Sequence, residues 1–212
     1  MVYYISDLHF GHQNVIAMDR RPFAGIEEMD AALIRLWNER VTEADEVYIL
    51  GDFAYRNGYA ASWYLRQLAG RKHLIIGNHD RHTVQDGSAM KHFVSVEKMM
   101  YITDGGRTVS LCHFPVAEWN GKRRGGYHVF GHLHCRRDEV YQFMSRYDRA
   151  LNAGCMINGY RPCTLEELVE NNLRFRRAAW AETAEAQIGN PLQAAREGNA
   201  RIQMQQGERQ AP

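Results

Sequence analysis

Five short apolar runs in this chain each break off into glycine, aspartate, asparagine or histidine, and this repeated ending constrains the fold more than any other feature. Val2-Tyr3-Tyr4-Ile5 leads to Asp7 and His9. Val47-Tyr48-Ile49-Leu50 leads to Gly51-Asp52, and Leu74-Ile75-Ile76 leads to Gly77-Asn78-His79-Asp80. The run at 109–112 leads to His113, and the run at 127–130 leads to Gly131-His132-Leu133-His134. Their length and their β-branched and aromatic content predict buried strands. Between the first two runs, Ile26, Met29, Leu33, Leu36 and Trp37 recur at helical spacing, which predicts an amphipathic helix over 26–41. Residues 59–68 read as a second helix. Strand alternating with helix argues for an α/β layered fold.

Further on, the pattern changes. Residues 93–96, 99–103 and 108–112 look like strands on short connections, with Asp104-Gly105-Gly106 as a hairpin turn, so a more antiparallel portion is expected here. Residues 165–180 read as a helix whose start carries a capping box, Thr164 with Glu167. Gly189-Asn190-Pro191 breaks any continuation. The reading is a domain over 1–180 and a polar tail over 181–212, as a frayed helix or disordered segment.

Charge narrows the function classes. Lys and Arg number 26 against 25 Asp and Glu, a formal net charge of +1, which disfavours an extended nucleic-acid surface but leaves room for a local basic site. No run approaches the roughly 18 apolar residues of a membrane span, and the start MVYYISDLHF has no secretory pattern. Four cysteines without CxxC spacing read as reduced thiols, which implies a cytoplasmic protein.

In open α/β sheets, ligands bind beyond the carboxyl ends of strands. That rule draws Asp7, His9, Asp52, Asn78, His113, His132 and His134 toward one place. Each is weak evidence alone, but five metal-competent strand ends in one chain are hard to assign to chance. Gly51, Gly77 and Gly131 each precede one of these groups and allow the chain to turn sharply.

The order DLH, GD, GNHD, H and GHLH resembles the calcineurin-like metallophosphoesterases, small bacterial members included. The resemblance spans residues 3–134 by motif and extends through Asn152-Ala153-Gly154 and Arg161-Pro162. It implies a four-layer α/β/β/α sandwich of two mixed β-sheets flanked by helices. It also implies hydrolysis of a phosphoester at a binuclear metal centre by a metal-bound hydroxide. Asp52 would bridge two divalent ions. Asp7, His9 and His134 would complete one site, and Asn78, His113 and His132 the other. Imidazole with oxygen suits Mn, Fe, Zn, Co or Ni better than Mg or Ca, and Mn²⁺ is the leading expectation, with Fe, Zn, Co or Ni as alternatives. His79 would face the substrate as a proton donor, oriented by Asp80.

On the substrate side, His12 extends the first motif to DLHFGH. Arg56 lies four residues after Asp52, where the protein-phosphatase branch has a phosphate clamp. Trp119, Arg123 and Arg124 fall in a loop that could stack a base and attract phosphate. His128 reads as a packing residue, and His73, His82 and His92 as surface residues. The leading expectation is a phosphodiesterase on a small or nucleotide-like substrate. A phosphomonoesterase or protein phosphatase is the alternative, followed by a nuclease or a non-catalytic scaffold. The sequence leaves the oligomeric state open.

Overall fold

A computed structural model describes residues 1–188. The chain divides into two units, Met1–Leu173 and Arg174–Pro212. The first holds two four-stranded sheets. The first sheet has strands β1 (Val2–Ile5), β2 (Glu46–Ile49), β3 (Arg71–Ile75) and β4 (Phe93–Glu97) in that spatial order, all parallel. The second has β5 (Met99–Asp104), β6 (Arg107–Cys112), β7 (Tyr127–Phe130) and β8 (Ala150–Asn152). Its β5–β6 pair is antiparallel and its other pairs are parallel.

Side-chain alternation along each strand builds the layers. Tyr3, Ile5, Val47, Ile49 and Leu74 face one way, against Met29, Leu33 and Trp37 of α2 (Ile26–Asn38) and Leu65 of α3 (Ala61–Leu65). Tyr4, Leu50 and Ile75 face the other way and meet Val109, Leu111, Val129 and Leu151 of the second sheet. Leu165 and Leu168, at the start of α7 (Leu165–Ile188), close this inter-sheet core. Phe130 and Ala150 point outward onto Met144 of α6 (Glu139–Met144) and onto Trp119. The result is helix, sheet, sheet, helix. Short helices α1 (Gln13–Met18), α4 (Arg81–Gln85) and α5 (Gly87–Met90) sit in the connections.

Several expectations need correction. The first sheet is wholly parallel, so only one of the two sheets is mixed. β4 was expected among antiparallel strands; it pairs parallel with β3, because only Lys98 separates β4 from β5 and the chain changes sheets there. The second helix is five residues rather than ten: Gly70, at φ +88, turns the chain into β3 soon after it. α2 ends at Asn38, three residues early. His73 is buried, not on the surface. Its ring stacks on Tyr48 at 4.5 Å and bonds Glu46 and Ser95 at 2.6 and 2.7 Å. The four cysteines form no disulfide. The tail reading at 181–212 falls, for 189–212, outside the described residues; 181–188 continue α7. Among the described residues no helix is long and apolar enough to cross a membrane.

Candidate metal centre

Because β1, β2 and β3 run parallel, and so do β6 and β7, the segments leaving their carboxyl ends emerge on one edge of each sheet. The sheets are stitched together at that edge. Ser6 N–H donates to Ala153 O at 2.9 Å. His113 Nδ1 lies 2.7 Å from Leu50 O. His132 N–H donates to both carboxylate oxygens of Asp7 at 3.1 Å. In this way residues from opposite sheets come within a few ångströms of one another.

One atom from each of Asp7, His9, Asp52 and His134 falls within 4.8 Å of all the others. Asn78 Oδ1 lies 2.9 Å from His113 Nε2 and 3.0 Å from His132 Nδ1. Asp52 lies between the two groups. Its Oδ1 accepts the His79 N–H at 2.8 Å, while its Oδ2 stands 3.6 Å from both His9 Nε2 and His113 Nε2. Asp7, His9, Asp52 and His113 are buried, whereas Asn78 and His79 are exposed.

The donor chemistry fits a cation. His134 Nδ1 donates to Asp19, at 2.8 Å from its Oδ2, and His113 Nδ1 donates to the Leu50 carbonyl, so in the neutral form of either ring Nε2 carries the lone pair. These lone pairs face oxygen lone pairs, His113 toward Asn78 and His134 toward Asp7 Oδ1 at 3.6 Å. Acceptor meeting acceptor in a buried site is what a shared cation relieves. His9 Nδ1 is buried with no hydrogen-bond partner. Burial also lowers the pKa of His9 and His132, which keeps both imidazoles neutral and able to ligate. Burial raises the pKa of Asp7. For His134, burial opposes the charged form, but the Asp19 hydrogen bond and the Asp7 carboxylate outweigh it and raise its pKa.

The backbone is strained at this place. Of the seven non-glycine residues with positive φ among those described, five are Asp7, His9, Asp52, His132 and His134, at φ 52 to 67. Such conformations cost on the order of 1 kcal/mol or more each and collect at functional sites. Two glycines permit the close approach. A Cβ on Gly131 would sit 1.8 Å from Ser6 Oγ, and one on Gly77 would sit 2.3 Å from Asp52 Oδ1.

The other expected site residues divide into two sets. The His79 ring centre is 5.4 Å from that of His9. His12 lies equally close to His9 and stacks on Tyr55 at 3.8 Å. Arg56 lines a cavity of about 290 Å³ with Asn78, His79 and Arg81. Trp119, Arg123 and Arg124 are not brought to the cluster. They precede the start of β7, whereas His132 and His134 follow its end, a strand length of roughly 15 Å away. The Trp119 ring is buried between His128 and Lys122, and its indole N–H donates to Gly126 O at 2.9 Å, so neither face is open to a base. Asp80 does not orient the His79 ring. Its carboxylate accepts the main-chain N–H groups of Asp52, Phe53 and Gly77 at 2.7 to 2.9 Å, tying two of the loops together.

Asp19 and Arg21 escaped the sequence reading. Arg21 is buried and donates to the Asp7 and Leu8 carbonyls and to Asp19, which in turn holds His134. Their only sequence signal is an acid and a base two positions apart, which is too common to notice. Phe114, exposed and 4.6 Å ring to ring from His132, was also missed.

The profile of the calcineurin-like phosphoesterases matches residues 1–151. An uncharacterized protein of Methanocaldococcus jannaschii is 32% identical over 171 residues, covering 80% of this chain and 89% of its own length. The Gene 66 protein of a Mycobacterium phage is 32% identical over 160 residues, 64% of this chain and 79% of its own. A solved protein of unknown function from Aquifex aeolicus superposes with a TM-score of 0.62 at 25% identity, covering 80% of this chain and 98% of that one. The matched span holds every residue of the buried cluster and both sheets up to the middle of β8, and the chain belongs to the calcineurin-like phosphoesterase family.

Proposed function

We propose that the chain hydrolyses phosphoester bonds at a pair of divalent ions, and that its substrates are small diesters, nucleotide-like ones included. Asp52 carries this reading. One of its oxygens is held by the His79 amide, and the other stands 3.6 Å from an imidazole of each ligand group, where a bridge between two cations belongs. Asp7, His9 and His134 would hold one ion, and Asn78, His113 and His132 the other. Mixed imidazole and oxygen donors favour Mn²⁺, Fe, Zn, Co or Ni over Mg²⁺ or Ca²⁺, and Mn²⁺ is the ion proposed here. When bound, such ions supply the charge that clamps phosphoryl oxygens and activates water near neutral pH.

The remaining work falls to the chain. His79 stands exposed beside the cluster, with its backbone pinned to Asp52, so its ring is free to protonate a leaving oxygen. Arg56 and Arg81 line the cavity next to it and draw an anionic substrate inward. Phe114 and Tyr55 offer aromatic walls beside His132 and His79, which suits an ester carrying a base or aryl group. The two guanidinium groups favour a second reading, a monoester dianion, and the substrate panel separates the two.

The test is turnover of a generic diester, a monoester and cyclic nucleotides with Mn²⁺. Diester turnover is expected to dominate; a faster monoester would support the second reading. Asp52→Asn is expected to lose activity and most bound metal. Activity within a few-fold of the unsubstituted chain would overturn the bridging role. His79→Ala is expected to keep its metal and turn over about 10²–10⁴ times more slowly.

A further inference from the structure

Lys122–Arg124 form one 3₁₀ turn at the pole opposite the metal cluster. The turn is clamped between two left-handed glycines, Gly121 at φ 78 and Gly125 at φ 86, and closed by a 2.8 Å bond from Gly126 N–H to Gly121 O. This holds Arg123 and Arg124 out in solvent. Arg146 and Arg149, also exposed, reach the same region from the segment before β8.

Two hollows lie between these groups. One, of about 410 Å³, is lined by Glu118, Trp119, Lys122, Arg123 and Arg124. The other, of about 450 Å³, is lined by Lys122, Tyr127, Arg146, Asp148 and Arg149 together with Trp119. They share Trp119 and Lys122, so they adjoin. Each has the volume of a small-ligand site, about 300–1,000 Å³.

Five cations here, Lys122, Arg123, Arg124, Arg146 and Arg149, outnumber the two carboxylates of the same linings, Glu118 and Asp148. Lys122 pairs with Glu118 at 3.1 Å and lies over the Trp119 and Tyr147 rings at 4.8 and 4.1 Å. The guanidinium groups of Arg123, Arg124, Arg146 and Arg149 make no ion pair among the described residues. Arg149 instead stands over the half-exposed Tyr127 ring at 5.7 Å. In a chain of net charge +1, four unpaired guanidinium groups on one face are a strong local excess. Guanidinium forks match phosphate oxygens, and an aromatic wall between them takes a base.

We infer that this face binds a short single-stranded segment of nucleic acid, phosphates on the four arginines and a base against Tyr127. A lipid headgroup surface is flat, whereas these cations border two adjoining hollows, one of them walled by Tyr127. A segment of a few nucleotides fits the near-neutral total charge, which an extended duplex surface would not.

The test is fluorescence anisotropy of a labelled oligothymidylate of about 12 nucleotides with the full chain, in chelator so that hydrolysis plays no part. Binding is expected at low salt. Its log–log salt slope should be about −3, four contacts at roughly 0.7 each. Arg123→Glu with Arg124→Glu, and separately Arg146→Glu with Arg149→Glu, should each cut the slope by about half and the affinity at least tenfold. Should a double reversal fail to fold, single Arg→Ala changes should each remove about 0.7 of the slope, and Arg149→Lys should keep it. No binding at roughly 100 μM protein in low salt, or binding indifferent to the reversals, would overturn the inference. Capture by phosphatidylserine vesicles without capture of the oligonucleotide would do the same, in favour of a membrane surface. None of these outcomes bears on hydrolysis at the metal cluster, which the diester assay reads separately.

Discussion

A histidine is best prepared as a ligand when its second nitrogen has an acceptor, and for His134 that acceptor is Asp19. The carboxylate accepts a hydrogen bond from His134 Nδ1–H at 2.8 Å and leaves Nε2 facing the cluster. Arg21 holds Asp19 in place at 3.0 Å. Asp19→Asn weakens this acceptor, so metal affinity is expected to fall about 10- to 100-fold with the fold intact, as metal titration would measure. His128 shows the opposite use of the same side chain. It accepts Val116 N–H at Nε2 and donates from Nδ1 to Ser110 O, each at 3.1 Å, and both bonds need the neutral ring. Burial pushes its pKa down to about 4. Below its unfolded value near 6.5 the unfolded chain takes up a proton that the folded chain refuses. Its stabilising contribution is therefore complete above pH 6.5 and is lost as pH falls toward 4, roughly 3 kcal/mol in all. Urea unfolding between pH 7 and 4 should show this slope, and His128→Gln should flatten it. The packing of His128 was readable from its place in a strand run. The roles of Asp19 and Arg21 were not, because nothing in local spacing records a contact across 115 positions.

At the scale of elements, the parallel strands do the positioning. Asp7, Asp52, Asn78, His113 and His132 converge because each lies just past the carboxyl end of a strand that has a parallel neighbour. These strands were legible because their apolar runs are short, β-branched and sharply bounded. The hairpin at Gly105-Gly106 was legible too, since both residues have the positive φ that a tight two-residue turn requires. So was the start of α7. There Thr164 N–H donates to Glu167 Oε2 at 2.9 Å, and Glu167 N–H donates to Thr164 Oγ1 at 3.3 Å. Thr164→Ala should cost about 1 kcal/mol in chemical denaturation; an unchanged midpoint would mean that packing of Leu165 and Leu168 alone sets this end. The partner of β4 was misread, because strand residues alone do not say which sheet receives them.

Across the whole first unit, the cluster draws candidate ligands from both sheets, so a bound cation should act as a cross-link that only the folded chain can form. Mn²⁺ at about 100 times its dissociation constant should add roughly 2.7 kcal/mol of stability and raise the melting temperature, and chelator should reverse it. A melting temperature indifferent to Mn²⁺ would mean that the acceptor-lined site is not closed by this ion. Local order was written in the chain: periodicity set the strands and helices, and the motif residues at their ends announced the chemistry, because both depend on neighbours in sequence. Which side chains meet was decided only by folding. Two sheets had to pack for Asp52 to stand between His9 and His113, and the direction of β7 placed Arg123 and Arg124 at the far pole, since distances between residues remote in the chain are set by strand order and direction rather than by composition.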